Sequence, residues 1–301
     1  MIVFALARGI GVTERLHGQA GTVGVALFAL LTQLGDVWFL FVLGGGVYVA
    51  GSTVPRLAVD RRQGLFVFAL VVTYVVLVST LKPLFGLPRP PGAGEAPAVG
   101  WLPPILAGVF ENITTASSSG FPSGHALGAT MVWGGVALVI DGVRDRVRFG
   151  LAAVVVAIVA TSRLVLGVHY LVDVIAGVGL GLAVLGACYW LADGGTDPGR
   201  VLGVAVAVGV LAMFVDGSAI SGAAAGAAVG SWLVCRRVAD TVPIRATSRG
   251  EVIAGIVVLA IVGGLSGVLY ALDPPVTVAF VGGAVTGGGA VAAPMIGTRA
   301  T

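Results

Sequence analysis

Three short stretches of this 301-residue chain hold residue types that can act together on an anion. The first is Lys82, followed after six residues by Arg89-Pro90. The second is Pro122-Ser123-Gly124-His125. The third is Ser162-Arg163, then five residues, His169, three residues and Asp173. Lys82 is the only lysine, and His125 and His169 are two of the three histidines. Lys82, Arg89 and Arg163 are three cations with no matching group of carboxylates to pair them. Their counter-ion is therefore expected from a ligand that is compact, anionic and multiply charged. A phosphoryl group fits, because arginine grips phosphate oxygens bidentately and lysine supplies a point charge.

Pro122-Ser123-Gly124-His125 reads as a helix start. Serine is a good N-cap, and glycine lets backbone approach a ligand closely. The exposed N–H groups and the helix dipole at such an end favour an anion, with His125 beside it in the first turn. His169 and Asp173 stand four apart, hence on one helical face. A carboxylate there can accept from one ring nitrogen and leave the other as a base or a nucleophile. Each residue also has an ordinary reading. His169 with Asp173 could be a structural hydrogen bond, His125 a capping residue, and Lys82 and Arg163 side chains snorkelling to an interface. It is their joint order and sidedness that favours a site.

The elements that must position these residues are membrane spans. Hydrophobic residues make up 57% of the chain, charged ones 10%, and the mean hydropathy is +1.04. Soluble domains run to roughly 45–50% apolar and about 25% charged. An ordinary cytosolic enzyme, a nucleic-acid-binding domain and a disordered chain are thereby excluded. The net charge of +3 and pI near 9.2 are modest and scattered, so no nucleic-acid partner is expected. Cys188 and Cys235 lie within or at the edge of apolar runs and support neither disulfide nor zinc.

Stretches of roughly 20 apolar residues predict an all-α integral membrane protein, a bundle of about nine transmembrane spans. The candidates are 36–53, 64–82, 123–140, 149–166, 171–192, 201–215, 219–235, 251–271 and 276–297. Residues 1–35 are expected to form an interfacial or re-entrant segment, or part of a longer first span. Arg56, Arg61, Arg62, Arg144, Arg146, Arg148, Arg200, Arg236, Arg237, Arg245, Arg249 and Arg299 all fall in alternate loops or beyond the last span. That face is assigned as cytoplasmic. The opposite face carries the long loop 83–122 and, at the span ends, all three chemical stretches. Asp36 is expected to cap the first span, with contact to the site as the alternative.

The three stretches together resemble the three-part signature of the type 2 phosphatidic acid phosphatase superfamily, in order and with complete spacing. The resemblance covers roughly residues 30–192. It implies a phosphatase in which His169 attacks phosphorus to give a phosphohistidine, with Asp173 orienting it. His125 would protonate the leaving alkoxide and then activate water. Lys82, Arg89, Arg163 and the Ser123/Gly124 region would hold the phosphoryl oxygens, with no cofactor and no metal. The division expected is a catalytic membrane core over 36–192 and additional spans of unassigned role over 193–301. The expected partners are membrane lipids, with a lipid phosphate or polyprenyl diphosphate as substrate, in a multi-pass plasma-membrane protein whose site faces outside. Phosphotransfer to an alcohol, and transport, are the competing readings.

Overall fold

The computed structural model of the chain describes residues 8, 10–17, 19–238, 245–246 and 248–300, with side chains up to 296. Residues 1–7, 9 and 18 of the N-terminal segment, and 239–244, 247 and 301 of the C-terminal part, lie outside the described residues. Among the described residues the fold is all-helical. In chain order the helices are α1 Val12–Leu16, α2 Gly21–Leu31, α3 Val37–Ala50, α4 Arg61–Phe85, α5 Pro104–Thr114 and α6 Gly124–Val139. They continue with α7 Asp145–Val165, α8 Leu171–Leu191, α9 Pro198–Val215, α10 Ala219–Val238, α11 Arg249–Leu272 and α12 Val276–Ala300.

Seven of these are long and apolar enough to cross a bilayer: α4, α7, α8, α9, α10, α11 and α12. The protein is thus a multi-pass membrane protein. The two remaining candidates differ from simple spans. The 36–53 stretch is one arm of a bent pair: Gly21–Gly35 and Val37–Thr53 meet at 46°. The break lies at Asp36, whose extended backbone ends the 3-10 turn Thr32–Gly35 and whose Oδ1 accepts from Trp38 N. Asp36 is therefore the cap the sequence predicts. The 123–140 stretch becomes α6, with 16 residues. At 1.5 Å per residue it is about 24 Å long, short of a hydrocarbon core of about 30 Å.

Helix α4 is the hub. It is apolar around its whole circumference, and Phe66, Val67, Phe68, Ala69 and Leu70 are wholly buried. A helix without a polar face belongs inside a bundle, and α4 packs against α3, α6, α9 and α10. Helix α11 is the opposite case, with Ile253, Ile256, Val257 and Ile261 exposed to the lipid side. Water provides no reason to hide such side chains in a bilayer, so close packing must come from small residues. Helices α10 and α12 show how. A Cβ on Gly226 would overlap the backbone at Phe280, and one on Gly287 would overlap Ala227. A buried ion pair between Arg61 and Glu251 ties the start of α4 to the start of α11. Losing either partner of such a pair leaves an uncompensated buried charge.

Candidate active site

Chain topology sets the predicted residues at one end of the bundle. Lys82 is in the last turn of α4, which stops at Gly86 in the left-handed region (φ 56°). Ser123 occupies the N-cap position of α6 without a side-chain cap hydrogen bond, and Arg163 is in the last turn of α7. The turn 166–170 then brings His169 to the start of α8, where Asp173 is the third residue. Because α6 and α7 form a hairpin, its two open ends share a side. Ser123 N donates to Asp173 O at 2.9 Å, which clamps the start of α6 onto the start of α8. Gly177, one turn further along α8, makes that approach possible: a Cβ there would lie 2.6 Å from Ser123 O.

The two ring nitrogens of His169 have distinct neighbours. Nδ1 lies 3.5 Å from Asp173 Oδ2. Nε2 lies 3.1 Å from Arg89 Nη1, which also donates to Val168 O at 2.7 Å. Arginine has only donors. Nε2 is therefore the lone-pair nitrogen and Nδ1 the protonated one, which faces Asp173 Oδ2 but makes no hydrogen bond among the described residues. His169 and Asp173 are buried. Burial, then the cations Arg89, Arg163 and Lys82 and the neighbouring His125, hold the His169 proton affinity well below the ordinary imidazole range. The ring is neutral at neutral pH. Burial pushes the Arg89 guanidinium down to about 10, which leaves it charged there.

The remaining predicted residues surround this pair. Lys82 Nζ donates to Ser118 Oγ at 3.3 Å, and Arg89 Nε donates to Ser118 O at 2.6 Å. Arg163, buried, donates from Nη1 to Thr32 Oγ1 at 2.9 Å. His125 Nε2 lies 3.4 Å from Asp36 Oδ2. Gly124 leaves room beside Lys82, whose Cε would be 3.7 Å from a Cβ there. Arg163 Nε and Ser123 Oγ are buried and have no hydrogen-bond partner among the described residues. Buried polar groups are normally satisfied, so these atoms are suited to an additional acceptor. A cavity of about 680 Å³ opens beside the group, lined by Lys82, Arg89, Gly92, Ser118 and Asp216 among others.

Sequence reasoning passed over three contributors, Ser118, Thr32 and Arg8, and preferred the capping role for Asp36. Ser118 lies in a run of three serines inside the long loop, a signal that could have been used. Asp36 does more than cap α3, since it also faces His125. Thr32 and Arg8 come from the N-terminal segment, and Arg8 Nη1 binds Asp173 Oδ1 at 2.8 Å. Neither stands at a fixed spacing from any motif.

The family model described as PAP2 superfamily matches residues 63–196. That stretch runs from the first turn of α4 to just before α9 and includes all eight predicted site residues. Comparison with curated proteins yields no match, and comparison with solved structures yields none either.

Proposed function

From the match of residues 63–196 to the PAP2 superfamily, we propose that the protein hydrolyses a lipid phosphate or diphosphate without a metal, through a phosphohistidine. The observation that carries this reading is a neutral, buried His169 whose lone-pair nitrogen faces a guanidinium, with two further cations near it. A phosphoryl oxygen entering the site takes over the Arg89 donor and frees the Nε2 lone pair. Nε2 then attacks phosphorus in line, the bond from phosphorus to the leaving oxygen breaks, and His125 gives that oxygen a proton. Asp173 stabilises the imidazolium character that develops on His169. In the second step His125 takes a proton from water, the oxygen attacks phosphorus, and the N–P bond breaks to return His169 and inorganic phosphate. Lys82, Arg89, Arg163 and the Ser123/Gly124 helix start balance the charge on the equatorial oxygens. Fixed cations supply what a metal supplies elsewhere in phosphoryl transfer.

Placement at the membrane surface favours a lipid substrate, whose headgroup reaches the cations while its tail stays among the helices. The distribution of arginines supports an orientation with this end of the bundle outside the cell. The test is phosphate release by the purified protein in vesicles, against phosphatidate, phosphatidylglycerophosphate and polyprenyl diphosphate, with EDTA present. At least one substrate is expected to turn over in EDTA, and vanadate, which mimics pentacoordinate phosphorus, is expected to inhibit. No release from any of them, or release abolished by EDTA and restored by Mg²⁺, would overturn the reading.

Asp36 bears on the second imidazole. With its carboxylate at Nε2 of His125, the nitrogen left for the leaving oxygen is Nδ1. Burial and then Arg163 push the His125 ring down to about 4, and the Asp36 carboxylate opposes them by favouring the protonated ring that a general acid needs. Asp36→Asn is expected to lower kcat about tenfold to a hundredfold. It should also move the basic limb of the kcat–pH profile to lower pH, since the ring gives up its proton more easily. An unmoved basic limb in a folded variant would show that Asp36 only caps α3.

A further inference from the structure

The Asp173 carboxylate has two oxygens with separate duties. Oδ2 accepts from Tyr170 N at 3.0 Å and faces His169 Nδ1. Oδ1 is bound by Arg8 Nη1 at 2.8 Å, and both side chains are almost fully buried, at 7% and 0% exposure. Arg8 also donates from Nη2 to Pro88 O, beside Arg89, and its guanidinium lies 5.0 Å from the centre of the Tyr170 ring. Val172 N donates to Arg8 O at 3.3 Å, and Thr13 Oγ1 donates to His169 O at 3.1 Å. One short segment thus touches the first and third catalytic stretches together. It lies well before the part of the chain that matches the family.

A buried carboxylate needs a counter-ion. His169 cannot be that partner while it remains neutral and able to attack. Lys82 and Arg163 belong to the group of cations around Ser118 and Thr32. Arg89 is engaged with Ser118, Val168 and Nε2 of His169. We propose that Arg8 is a positioning residue, supplied by the N-terminal segment, that keeps Asp173 ionised and aimed at Nδ1 while His169 stays proton-free. The groups that face the pair are Lys82 from α4, Arg89 from the loop after it, His125 from α6, Arg163 from α7, Tyr170 at the start of α8, and Arg8 itself. Arg8 makes the direct contact with the carboxylate, so its removal leaves the pair one cation short. The pair then binds a proton more readily, on the ring or on the carboxylate, and either event removes the working arrangement. Because the two groups are coupled, the effect is a property of the pair.

The experiment uses the full-length protein in vesicles with Arg8→Met, Arg8→Lys and Asp173→Asn, and with Arg8→Met and Asp173→Asn combined. The kinetic readout rests on the phosphatase reading. Arg8→Met is expected to lower kcat about tenfold to a hundredfold with little change in KM. It should move the acid limb of the kcat/KM profile up by about one pH unit or more, and Arg8→Lys should bring the limb back. The second readout does not depend on turnover. Arg8→Met is expected to lower the thermal midpoint in the native background and to lower it much less in the Asp173→Asn background. An acid limb that stays in place in an active Arg8→Met protein would overturn the proposal. So would equal losses of midpoint in the two backgrounds. A native protein that releases no phosphate counts against the phosphatase reading alone, because the stability comparison still decides whether Arg8 holds Asp173.

Discussion

Phosphate release by the His169→Ala protein is expected to fall by about four orders of magnitude, while insertion, yield and detergent elution stay those of the native protein. The size follows from the proposed role: with that nucleophile removed, the cations and His125 have no covalent route to serve, and members of such a unit do not contribute additively. The backbone framework of the site does not run through the ring. His169 sits in a turn between α7 and α8, and the clamp joining the start of α6 to the start of α8 runs through backbone atoms of Ser123 and Asp173. The native enzyme offers a companion measurement. Attack needs the neutral ring, and burial followed by Arg89, Arg163 and Lys82 keeps the proton off it. The folded pKa lies below the ordinary value of about 6.5, so the nucleophile persists as pH falls through that value and is lost only further into acid. The acid limb of kcat/KM is therefore expected below pH 6.5, after the substrate's own ionisation is divided out. Turnover by His169→Ala at the native rate would remove the nucleophile from this mechanism.

His125→Ala is expected to separate the two chemical steps. With a lipid phosphate, whose leaving group is a poor alkoxide, loss of the general acid should lower kcat about 10²- to 10⁴-fold. With p-nitrophenyl phosphate the leaving oxygen needs no proton, so the first step should be largely spared. Water activation in the second step would still be lost. The variant should then accumulate a phosphoenzyme from labelled substrate that is stable to base and labile to acid, as a phosphohistidine is, and should show a burst followed by slow release. Equal losses with both leaving groups and no trapped phosphoenzyme would show that His125 serves only to hold the fold around Asp36 and the start of α6. Its place argues for chemistry: it stands in the first turn of α6, beside Ser123 and Gly124, with its ring facing a carboxylate.

Much of this was legible in the chain. Apolar runs long enough to cross a bilayer placed α4 and α7–α12, because hydropathy is a local property that each stretch carries by itself. The ordered stretches around Lys82, Ser123 and His169 could be read for the same reason: helix ends and i, i+4 spacing are local geometry, and hairpin topology then forces them to one end. The bend at Asp36 and the short α6 were not legible, since a break at a cap and a helix cut to fit a site leave hydropathy almost unchanged. Nor were most of the partners that complete the site. Arg8 meets Asp173 across 165 residues, Thr32 meets Arg163 across 131, and Asp36 meets His125 from a separate helix. Ion pairs and hydrogen bonds of that kind depend only on where folded segments come to rest. Residue types and spacings named the chemical groups, and the packing of the N-terminal segment against the bundle end decided which charges each of them faces.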